Sequence, residues 1–474
     1  MYDVTIIGCG IVGAATAYEL CKYDLRLAIL EKENDVAVGA TKANSAIIHA
    51  GYDPTPGTLM AKLNVQGNAL ARKIFNTLDI PYKQCGALVL AFSAEEVATL
   101  HSLYENGRAN GVPDISILTK EEVLDKEPNI SDSVMAALYA PTTMIVSPWE
   151  YGLAMAETAV LNGAELKREC EVMAIEKLDE GFMLKTSQGS IQSRYIINAA
   201  GLFADNINNM ITDDKFAIVP DRGEYFLLDK NEGNRVNTVI FQCPTKLGKG
   251  VLVAPTVHGN LIVGPNAVEI DGHDTSTTAA GLADVRELAQ KSVPGIDFRA
   301  NIRNFAGIRA KTNGGDFIIN QPQKGFINLA GISSPGLSAA PAIAKMALEM
   351  LELPLSQKKE IIDKRDVVRF NKLSPQDKAD LIAKDKNYST VICRCETVTE
   401  GEILAALHSP IPPRSVDGVK RRTGAGMGRC QSGFCGPRVV EILAKHYNCP
   451  PTEILQDGAG THILVEETKR GKIS

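Results

Sequence analysis

The chain opens with a dinucleotide-binding fingerprint in its full structural context. A short apolar segment, YDVTII (residues 2–7), is followed at once by GCGIVG, and an apolar, alanine-rich segment runs from Ile11 to about Tyr23. A second apolar segment, LRLAIL, ends directly before Glu31. This order predicts strand, glycine turn, helix and strand, which is the first unit of a parallel α/β sheet and not a chance glycine-rich loop.

Each glycine of the fingerprint has its own physical role. Gly8 permits the tight turn, Gly10 lets backbone amides approach a pyrophosphate, and Gly13 lets the helix pack on the strand. The N–H groups and partial positive charge at the helix amino terminus attract phosphate. Glu31 is placed to accept hydrogen bonds from ribose hydroxyls. These residues predict a site for NAD or FAD and do not choose between the two.

Length and composition indicate a globular protein of two or three domains. The 474 residues are 45% apolar and 22% charged, and the net charge is −6, which gives no reason to expect a nucleic-acid partner. No apolar run reaches membrane-spanning length, and the glycine-broken opening is a poor signal peptide. We therefore expect a cytoplasmic protein without a transmembrane segment, which could reach a membrane only through a partner.

Four of the ten cysteines are clustered near the carboxyl end. Cys393 and Cys395 lie in VICRCE, Cys430 and Cys435 lie in GMGRCQSGFCG, and thirty-four residues separate the two pairs. Four thiolates can hold zinc or an iron–sulfur cluster. Structural zinc sites mostly use C-x₂-C pairs, so this C-x-C and glycine-rich C-x₄-C pattern favours iron–sulfur. Zinc and free thiols remain alternatives.

Three further stretches carry a family resemblance. Residues 32–70, residues 195–205 (YIINAAGLFAD) and residues 325–351 (GFINLAGISSPGLSAAPAIAKMALEML) resemble the glycine-oxidase and D-amino-acid-oxidase superfamily of FAD-dependent oxidoreductases. That superfamily also includes glycerol-3-phosphate and L-2-hydroxyglutarate dehydrogenases. The resemblance covers residues 1–350 and implies non-covalent FAD bound by a discontinuous domain.

The resemblance also implies individual contacts to FAD. A loop from position 41 to position 45 would lie beside the flavin, Val172 would contact adenine through its backbone, and Ala200 with Gly201 would form a second nucleotide-facing turn. The residues implied in FAD binding, including the fingerprint, are Gly8, Gly10, Gly13, Glu31, Lys32, Thr41, Ala43, Asn44, Ser45, Val172, Ala200, Gly201, Asp205, Gly307, Gly331, Gly336, Leu337 and Ser338.

The last of the three stretches also has a direct physical interpretation. FINLAG predicts a strand, ISSPG a loop, and Ser338 the N-cap of a long apolar helix with Pro341 in its first turn. The amino terminus of that helix, if aimed at the pyrimidine edge of the flavin, would stabilise the anionic reduced form.

The expected fold class is α/β, with a Rossmann-like FAD-binding domain interleaved with a mixed β-sheet substrate domain and a small carboxy-terminal α-rich iron–sulfur domain. The substrate domain is implied by the resemblance and by strand-like alternation in segments such as VLVAPTVHGNLIVGP. The expected boundaries are 1–80, 146–214 and 326–354 for the FAD-binding domain, 81–145 and 215–325 for the substrate domain, 355–388 for a charged linker, 389–460 for the cluster domain and 461–474 for a tail.

Three residues are candidates for substrate chemistry. Arg309, in NFAGIRAKTNGGDF, matches the arginine with which the family grips a carboxylate or phosphate, a task that suits a bidentate guanidinium. His49, in SAIIHAGYD, matches a histidine beside the flavin in the glycerol-3-phosphate and hydroxyglutarate enzymes. His258, in PTVHGN, is a second candidate for the base that takes the hydroxyl or amine proton.

One position departs from the family pattern. Glycerol-3-phosphate enzymes of the superfamily usually carry an arginine four residues after the histidine, and this chain has Asp53 there. The loop HAGYDPTPGTLMAKL looks more like the hydroxyglutarate branch, whose substrate is a dicarboxylate. The identity of the substrate therefore stays open between these two branches.

The cysteine-rich segments resemble the bacterioferritin-associated ferredoxin-like [2Fe–2S] domain. This implies Cys393, Cys395, Cys430 and Cys435 as cluster ligands, and the glycines allow backbone N–H groups to turn toward the sulfurs. The chain has one dinucleotide fingerprint, which FAD would fill, and no second one for NAD(P). Electrons would therefore leave the flavin through the cluster to a partner protein, a partner subunit or a quinone-linked carrier.

The predicted function is that of an FAD-dependent dehydrogenase for a small anionic hydroxy substrate, with glycerol 3-phosphate as the first choice. An L-2-hydroxyglutarate or related 2-hydroxy-acid dehydrogenase and an amino- or imino-acid dehydrogenase are alternatives within the enzyme class. A non-enzymatic alternative is an electron-transfer subunit whose flavin relays electrons without a substrate of its own.

Overall fold

A computed structural model describes residues 1–244 and 250–466 of the chain. Within these residues the strands are β1 (Tyr2–Ile7), β2 (Leu27–Leu30), β3 (Ile47–Ile48), β4 (Tyr82–Gln84), β5 (Ala87–Ala91), β6 (Ser116–Thr119), β7 (Ala136–Ala140), β8 (Met144–Val146), β9 (Glu165–Lys167), β10 (Val172–Lys177), β11 (Phe182–Thr186), β12 (Gly189–Asn198), β13 (Val219–Leu228), β14 (Val239–Gln242), β15 (Leu252–Pro255), β16 (Leu261–Gly264), β17 (Val268–Glu269), β18 (Asn301–Lys311), β19 (Ile318–Gln323), β20 (Phe326–Ala330), β21 (Val391–Cys393) and β22 (Val398–Thr399).

The helices of the described residues are interleaved with these strands along the chain. They are α1 (Ile11–Leu20), α2 (Leu59–Thr77), α3 (Ala94–Asn110), α4 (Lys120–Lys126), α5 (Pro148–Leu161), α6 (Ala204–Asn208), α7 (Ala279–Ser292), α8 (Gly336–Glu349), α9 (Pro375–Lys384), α10 (Glu400–Leu407), α11 (Val416–Thr423) and α12 (Gly436–Tyr447). None of these helices combines the length and the apolar composition that crossing a lipid bilayer would require.

The chain forms two compact units. The first contains Met1–Leu30 and Ala37–Lys364, and the second contains Glu31–Val36 together with the described residues from Arg365 onward. The segment at 355–388, expected as a linker, thus spans the point of division and contains α9. The finer domain boundaries given above stay predictions.

The first sheet of the larger unit is the sheet that the amino-terminal fingerprint predicts. Its strands are ordered β10-β11-β12-β1-β2-β9, and β20 pairs with β12 and with β19. The pairs β1–β2, β1–β12, β2–β9 and β12–β20 are all parallel. Because β1 and β2 are buried and apolar, α1 must cover them, and it packs in turn against α5 and α8.

A second sheet of the larger unit is mixed, and its strands come from residues 87–140 and 219–311. The order is β17-β13-β16-β15-β14-β5-β7-β6, with β18 on the other side of β13. The β13–β18 pair is a long antiparallel ribbon in which Asp221 stands opposite Arg309 and Gly223 opposite Gly307. This ribbon carries most of the substrate-site residues described below.

Two helices differ in their limits from the sequence prediction. α1 ends at Leu20, three residues before the predicted end, because the chain turns at Cys21 and runs to β2. α8 begins at Gly336, so Ser338 is its third residue and not its N-cap. Pro335 occupies the cap position, and Pro341 lies inside the helix, one turn from its start.

The second unit is built mainly from α9–α12 around its own apolar core. Thr399 begins α10 with a capping box, in which its hydroxyl accepts from Glu402 and the Glu402 carboxylate accepts from the backbone of Thr399. α12 presents Val439, Leu443 and neighbouring apolar residues to this core. GAGMG (424–428) follows α11, so this glycine-rich segment lacks the preceding strand that a dinucleotide-binding turn requires.

A buried ion-pair network joins residue 35 to α11 inside the second unit. The Asp35 carboxylate accepts from Arg421 at 2.8 Å and from Arg422 at 2.8 Å and 2.9 Å, and Arg421 also donates to Asp457 at 2.8 Å. Burial alone would raise the pKa of Asp35, but the two guanidiniums reverse that effect and hold the pKa well below its usual range. The basic stretch of α11 is therefore a buried structural feature.

Replacing Asp35 by Asn should strongly destabilise the second unit. Two buried guanidiniums would lose their main counter-charge, at a cost of about 3–5 kcal/mol in the free energy of unfolding. Because the pKa of Asp35 is lowered by folding, its contribution should be present above about pH 4 and fade as the pH falls further. Urea titration followed by hydrogen exchange of the α11 and α12 amides measures this. Glu441→Gln, at an exposed position of α12, is the control, and equal stability of the two variants would contradict the assignment.

Candidate active site

Three glycine-containing turns meet at one edge of the first sheet. Ile7, at the end of β1, pairs with Asn198 at the end of β12, and Asn198 pairs with Asn328 in β20. The three strands are parallel, so the turns after them lie together at their carboxyl ends, where open α/β sheets bind ligands. The Asn198 amide donates to Asn328 Oδ1 at 2.9 Å, which joins the second and third turns.

The fingerprint turn has the shape that a pyrophosphate requires. A Cβ added to Gly13 would lie 2.0 Å from Gly8 O, so α1 sits directly on the turn. Gly8 has φ +95° and contacts the backbone of Ala199 in the next turn. A Cβ at Gly10, by contrast, would meet only the Thr41 hydroxyl within 4 Å. The open side of Gly10 therefore fits the phosphate groups of a dinucleotide.

The loop expected beside the flavin is held by its own polar side chains. Thr41 is buried and its hydroxyl accepts from Ile11 N at 2.9 Å, which ties the loop to the first turn of α1. The Asn44 amide donates to Ala40 O and Thr41 O, and its oxygen accepts from Ala46 N at 2.7 Å. Thr41 and Asn44 thus shape the loop.

The same loop continues to His49, which is tied to the start of α8. The His49 N–H donates to the Ser338 hydroxyl at 2.7 Å, and His49 O accepts from Asn68 at 3.1 Å. The sequence predicted Ser338 as a helix cap, but its hydroxyl instead holds the backbone of His49. The imidazole lies 5.8 Å from the ring of Phe241, which follows Ile240 in β14.

Gly223 and Gly307 stand opposite each other on the β13–β18 ribbon and have no side chains of their own to cover its backbone. A Cβ on Gly307 would lie 1.8 Å from Ala43 O, and one on Gly223 would lie 2.6 Å from Arg309 Nη2. The flavin-side loop and the Arg309 guanidinium therefore lie on the backbone of neighbouring strands. Ser45 extends the contact, because its hydroxyl is 3.1 Å from the hydroxyl of Tyr225.

The structure brings Arg309 into a compact polar cluster. Its Nη1 donates to Asp221 Oδ1, its Nη2 donates to Asn266 O at 3.2 Å, and Lys311 Nζ donates to the second Asp221 oxygen at 2.5 Å. Tyr225 also faces Arg309, and burial raises the pKa of the Tyr225 hydroxyl. Sequence reasoning missed Asp221, Lys311 and Tyr225, because the only signal for them is their position opposite or beside Arg309 in the ribbon.

His258 lies in a different environment. It occupies the turn between β15 and β16, where its ring stacks on Trp149 with centroids 5.7 Å apart. Its Nε2 is 3.7 Å from Glu150 Oε1. These contacts attach His258 to the beginning of α5.

The strand register separates His258 from Arg309. β16 begins at Leu261, which pairs with Leu228, whereas Arg309 pairs with Asp221 at the other end of β13. Seven residues of extended strand span about 23 Å. The two side chains therefore belong to opposite ends of β13, and we expect His258 not to be the base that acts beside Arg309. His49 follows the flavin-side loop, in which Ala43 lies against Gly307, two residues before Arg309.

The remaining predicted FAD contacts have varied surroundings. Val172 is buried at a β-bulge of β10, and Gly331 follows β20 with φ +65°. Asp205 accepts from Ile218 N at 2.9 Å, which positions the start of β13. Lys32 is exposed and pairs with Glu33 at 2.7 Å. Their roles toward FAD stay predictions, as do those of Glu31, Ala200, Gly201, Gly336 and Leu337.

The four clustered cysteines form two pairs in the second unit. Cys395 Sγ and Cys430 Sγ are 3.7 Å apart, and Cys393 shares a hydrogen bond with Cys435. Two ligands on one tetrahedral metal with bonds of about 2.3 Å are separated by about 3.8 Å. The described residues contain no group of three or more His, Cys, Asp or Glu side chains arranged around one ion. Two pairs of thiolates are the arrangement that two irons require.

The glycine loop around these cysteines also fits a cluster. Gly426 N–H points to Cys393 Sγ at 3.5 Å, and a Cβ on Gly428 would lie 2.2 Å from Cys395 Cβ. The hydrogen bond with Cys435 is the largest influence on the pKa of Cys393, which is lowered to about 6, and the Gly426 N–H acts in the same direction. The same hydrogen bond raises the pKa of Cys435, so the two thiols share one proton and Cys393 is the first of the pair to become a thiolate.

Gly307→Ala should weaken flavin binding. The added Cβ would collide with the backbone of Ala43 and displace the loop that carries Asn44 and Ser45. We expect the flavin content after gel filtration, measured from the ratio of flavin absorbance to protein absorbance, to fall several-fold. Gly314→Ala is the matched control, because nothing lies within 4 Å of its Cβ position. Full flavin content in Gly307→Ala would show that the loop does not bind the flavin.

Protein prepared without oxygen should contain about two iron atoms and two acid-labile sulfides per chain. Changing Cys395 to Ser should abolish electron delivery beyond the flavin and leave reduction of the flavin intact. Cys449→Ser, at a cysteine of the same unit outside the cluster, should change neither. Elemental analysis and anaerobic absorbance spectra measure these quantities. One zinc per chain without sulfide would refute the cluster assignment.

Comparisons with known families agree with this geometry. Residues 3–350 match the family described as FAD dependent oxidoreductase, and residues 391–445 match the BFD-like [2Fe-2S] binding domain. A glycerol 3-phosphate dehydrogenase of Caloramator mitchellensis is 51% identical over 99% of this chain and 99% of its own length. An L-2-hydroxyglutarate dehydrogenase of Salmonella houtenae is 36% identical over 56% of this chain and 64% of its own length.

A solved structure is similar to the first part of the chain. The dithionite reduced L-alpha-glycerophosphate oxidase from Mycoplasma pneumoniae, with FAD bound, superimposes with a TM-score of 0.73 at 32% identity, covering 77% of this chain and 98% of that one. The expected fold class, the FAD cofactor and the [2Fe–2S] cluster are thereby confirmed. The chain belongs to the FAD dependent oxidoreductase family and carries a BFD-like [2Fe–2S] binding domain at its carboxyl end.

Proposed function

We propose that the chain is a dehydrogenase that oxidises glycerol 3-phosphate at its secondary alcohol carbon. The two electrons taken from the substrate then leave the flavin one at a time through the [2Fe–2S] cluster. The observation that carries the proposal is the similarity, over nearly the whole chain, to a glycerol 3-phosphate dehydrogenase. That similarity includes the unit with the four cysteines, which lies beyond the part of the chain that resembles the oxidase.

Arg309 would hold the phosphate end of the substrate beside the flavin-side loop. The guanidinium is held over Gly223 by Asp221 and Asn266, so its donor geometry is set before the substrate arrives. A guanidinium offers a phosphate two parallel hydrogen bonds, which fixes direction as well as distance. Binding at this point would leave the carbon end of the substrate toward the loop of Ala43 and Ser45.

His49 would remove the proton of the hydroxyl group. Its backbone is fixed on one side by Ser338 and on the other by Asn68, so the imidazole projects from a rigid loop. FAD, when bound, supplies the acceptor for the hydride that leaves the same carbon. A neutral imidazole near pH 7 can accept the proton as the carbonyl forms, and no other residue of the described site matches this role as well.

The cluster argues for a dehydrogenase over an oxidase that delivers electrons to oxygen. A two-electron donor and a one-electron carrier in one chain suit transfer to a protein partner, a partner subunit or a quinone-linked carrier. Cys395 is exposed while Cys393 and Cys435 are buried, so one side of the cysteine set is open to solvent. A cytoplasmic location and an association with a membrane through such a partner stay predictions.

A 2-hydroxy acid remains the second candidate substrate, and Asp53 is the observation that favours it. This residue takes the place of an arginine in many glycerol-3-phosphate enzymes. Its loop is attached to α3, because the Asn110 amide donates to Gly51 O at 2.9 Å and to Pro54 O at 2.8 Å.

An anaerobic substrate panel tests the proposal directly. Glycerol 3-phosphate, L-2-hydroxyglutarate, lactate and several amino acids are added separately to the FAD-loaded protein, and the flavin absorbance is followed. We expect glycerol 3-phosphate to bleach the flavin fastest, followed by reduction of the cluster. Faster bleaching by L-2-hydroxyglutarate would assign the chain to the second candidate. Bleaching by none of the compounds would support the alternative of an electron-transfer subunit.

Two substitutions should separate substrate binding from proton transfer. Arg309→Lys keeps the charge but loses the bidentate geometry, so kcat/KM should fall by about thirty- to a thousandfold, or about 2–4 kcal/mol. His49→Asn should instead slow flavin reduction and remove the acid limb of its pH profile, as expected for loss of a general base. Stopped-flow reduction between pH 5 and 9 measures both effects. His258→Asn is the control, and a similar effect there would contradict the site described.

A further inference from the structure

One buried carboxylate holds two cations at the substrate site. Asp221 Oδ1 accepts from Arg309, and Asp221 Oδ2 accepts from Lys311 at 2.5 Å. Arg309 and Lys311 are two residues apart in β18, so both side chains emerge on the same face of the ribbon as Asp221. The flavin-side loop contacts that face at Gly307, two residues before Arg309.

The three side chains differ in their access to solvent. The Asp221 side chain is 3% exposed, that of Arg309 is 23% exposed and that of Lys311 is 41% exposed. The carboxylate therefore lies at the base of the cluster and the two cations lie above it. A small anion that enters from solvent meets the cations first and is kept apart from the carboxylate.

We propose that Lys311 is a second binding residue for the anionic head group of the substrate, and that Asp221 is the positioning residue that holds both cations. Lys311 would thereby make the site selective for a doubly charged head group such as a phosphate. This inference rests on the proposed function for its substrate, and it adds a residue and a charge preference that the family resemblance does not supply.

The charge preference follows from Coulomb's law. The attraction between Lys311 and a ligand is proportional to the ligand charge, so a phosphate dianion gains twice the free energy that a carboxylate gains at the same distance. Without Lys311 the pair Arg309 and Asp221 has no net charge, and only the hydrogen-bond geometry of Arg309 remains. Loss of Lys311 should raise the dissociation constant of a monoanion by some factor. It should raise the dissociation constant of a dianion by the square of that factor.

Asp221 should have the opposite effect on affinity. Asp221→Asn preserves the size of the side chain and one acceptor oxygen, but it removes a negative charge from the base of the site. Anions should then bind more tightly. Arg309 and Lys311 would be held less firmly, so the substrate would be oriented less well and kcat should fall. A purely structural carboxylate would instead lower affinity and stability together.

The test uses two unreactive ligands with the FAD-loaded full-length protein. Ethyl phosphate at pH 8 is a dianion, because the second pKa of a phosphate monoester is about 6, and propionate is a monoanion of similar size. Dissociation constants are measured by calorimetry and by the change in flavin absorbance. For Lys311→Met we expect about tenfold weaker binding of ethyl phosphate and about threefold weaker binding of propionate, a modest effect because Lys311 is partly exposed.

Three further variants complete the design. Lys311→Arg restores the cation and should bind ethyl phosphate within about twofold of the wild type. Lys324→Met is the matched control, since Lys324 is an exposed lysine of the same unit that pairs with Glu352, and its affinities should not change. Asp221→Asn should bind ethyl phosphate more tightly than the wild type and oxidise glycerol 3-phosphate with a lower kcat.

Two results would overturn the inference. One is unchanged affinity for ethyl phosphate in Lys311→Met, and the other is an equal loss for both ligands, which would indicate a change of shape. If Asp221→Asn does not fold, the Met and Arg variants at Lys311 decide the question. The proposed function fails separately: if glycerol 3-phosphate does not reduce the flavin but Lys311→Met discriminates the two ligands as expected, the site binds dianions and its substrate is another phosphate.

Discussion

The contact between Ala43 and Gly307 is the constraint on which the candidate active site depends. The carbonyl of Ala43 occupies the position that any side chain at residue 307 would need, and Gly223 on the facing strand leaves equal room for Arg309. Because of these two glycines the flavin-side loop and the Arg309 guanidinium lie on one patch of backbone. The separation between the flavin-side loop and the Arg309 guanidinium is therefore set by backbone packing and not by a flexible side chain.

The charges are paired incompletely at the candidate substrate site and completely in the ion-pair network of the second unit. At the substrate site Asp221 faces two cations, so the cluster retains one positive charge for an incoming anion. In the second unit Asp35 also meets two guanidiniums, but there Asp457 supplies a second carboxylate. Complete pairing is what a structural ion-pair network needs to offset desolvation, whereas incomplete pairing is what a binding site can use.

The cysteine set shows how a short motif becomes a redox centre. Cys393 ends β21 and Cys395 lies in the turn that follows, so the two thiols of the C-x-C motif pair with different cysteines from the glycine loop. Glycines at 426 and 428 let the loop approach closely enough to give a backbone N–H to Cys393 Sγ. Combined with a flavin that collects two electrons, such a centre allows a single chain to change from two-electron to one-electron chemistry.

The sequence by itself determined the cofactors, the fold class and the site elements that lie next to each other in the chain. The strand, glycine turn, helix and Glu31 are local, and so is each cysteine pair, because turn geometry and ligand spacing depend on neighbours within a few residues. The sequence also identified Arg309 and His49 through the motifs around them.

Only the tertiary structure decided which distant residues share a site. The proximity of Asp221 and Lys311 to Arg309 follows from strand register. Cross-strand neighbours are set by strand pairing and not by separation in the sequence. The same register removed His258 from the neighbourhood of Arg309. Ser338 changed from an expected helix cap to the acceptor for His49 N–H, because a helix limit depends on what packs against it. Long-range pairing brings such groups together, and no local pattern of residues records it.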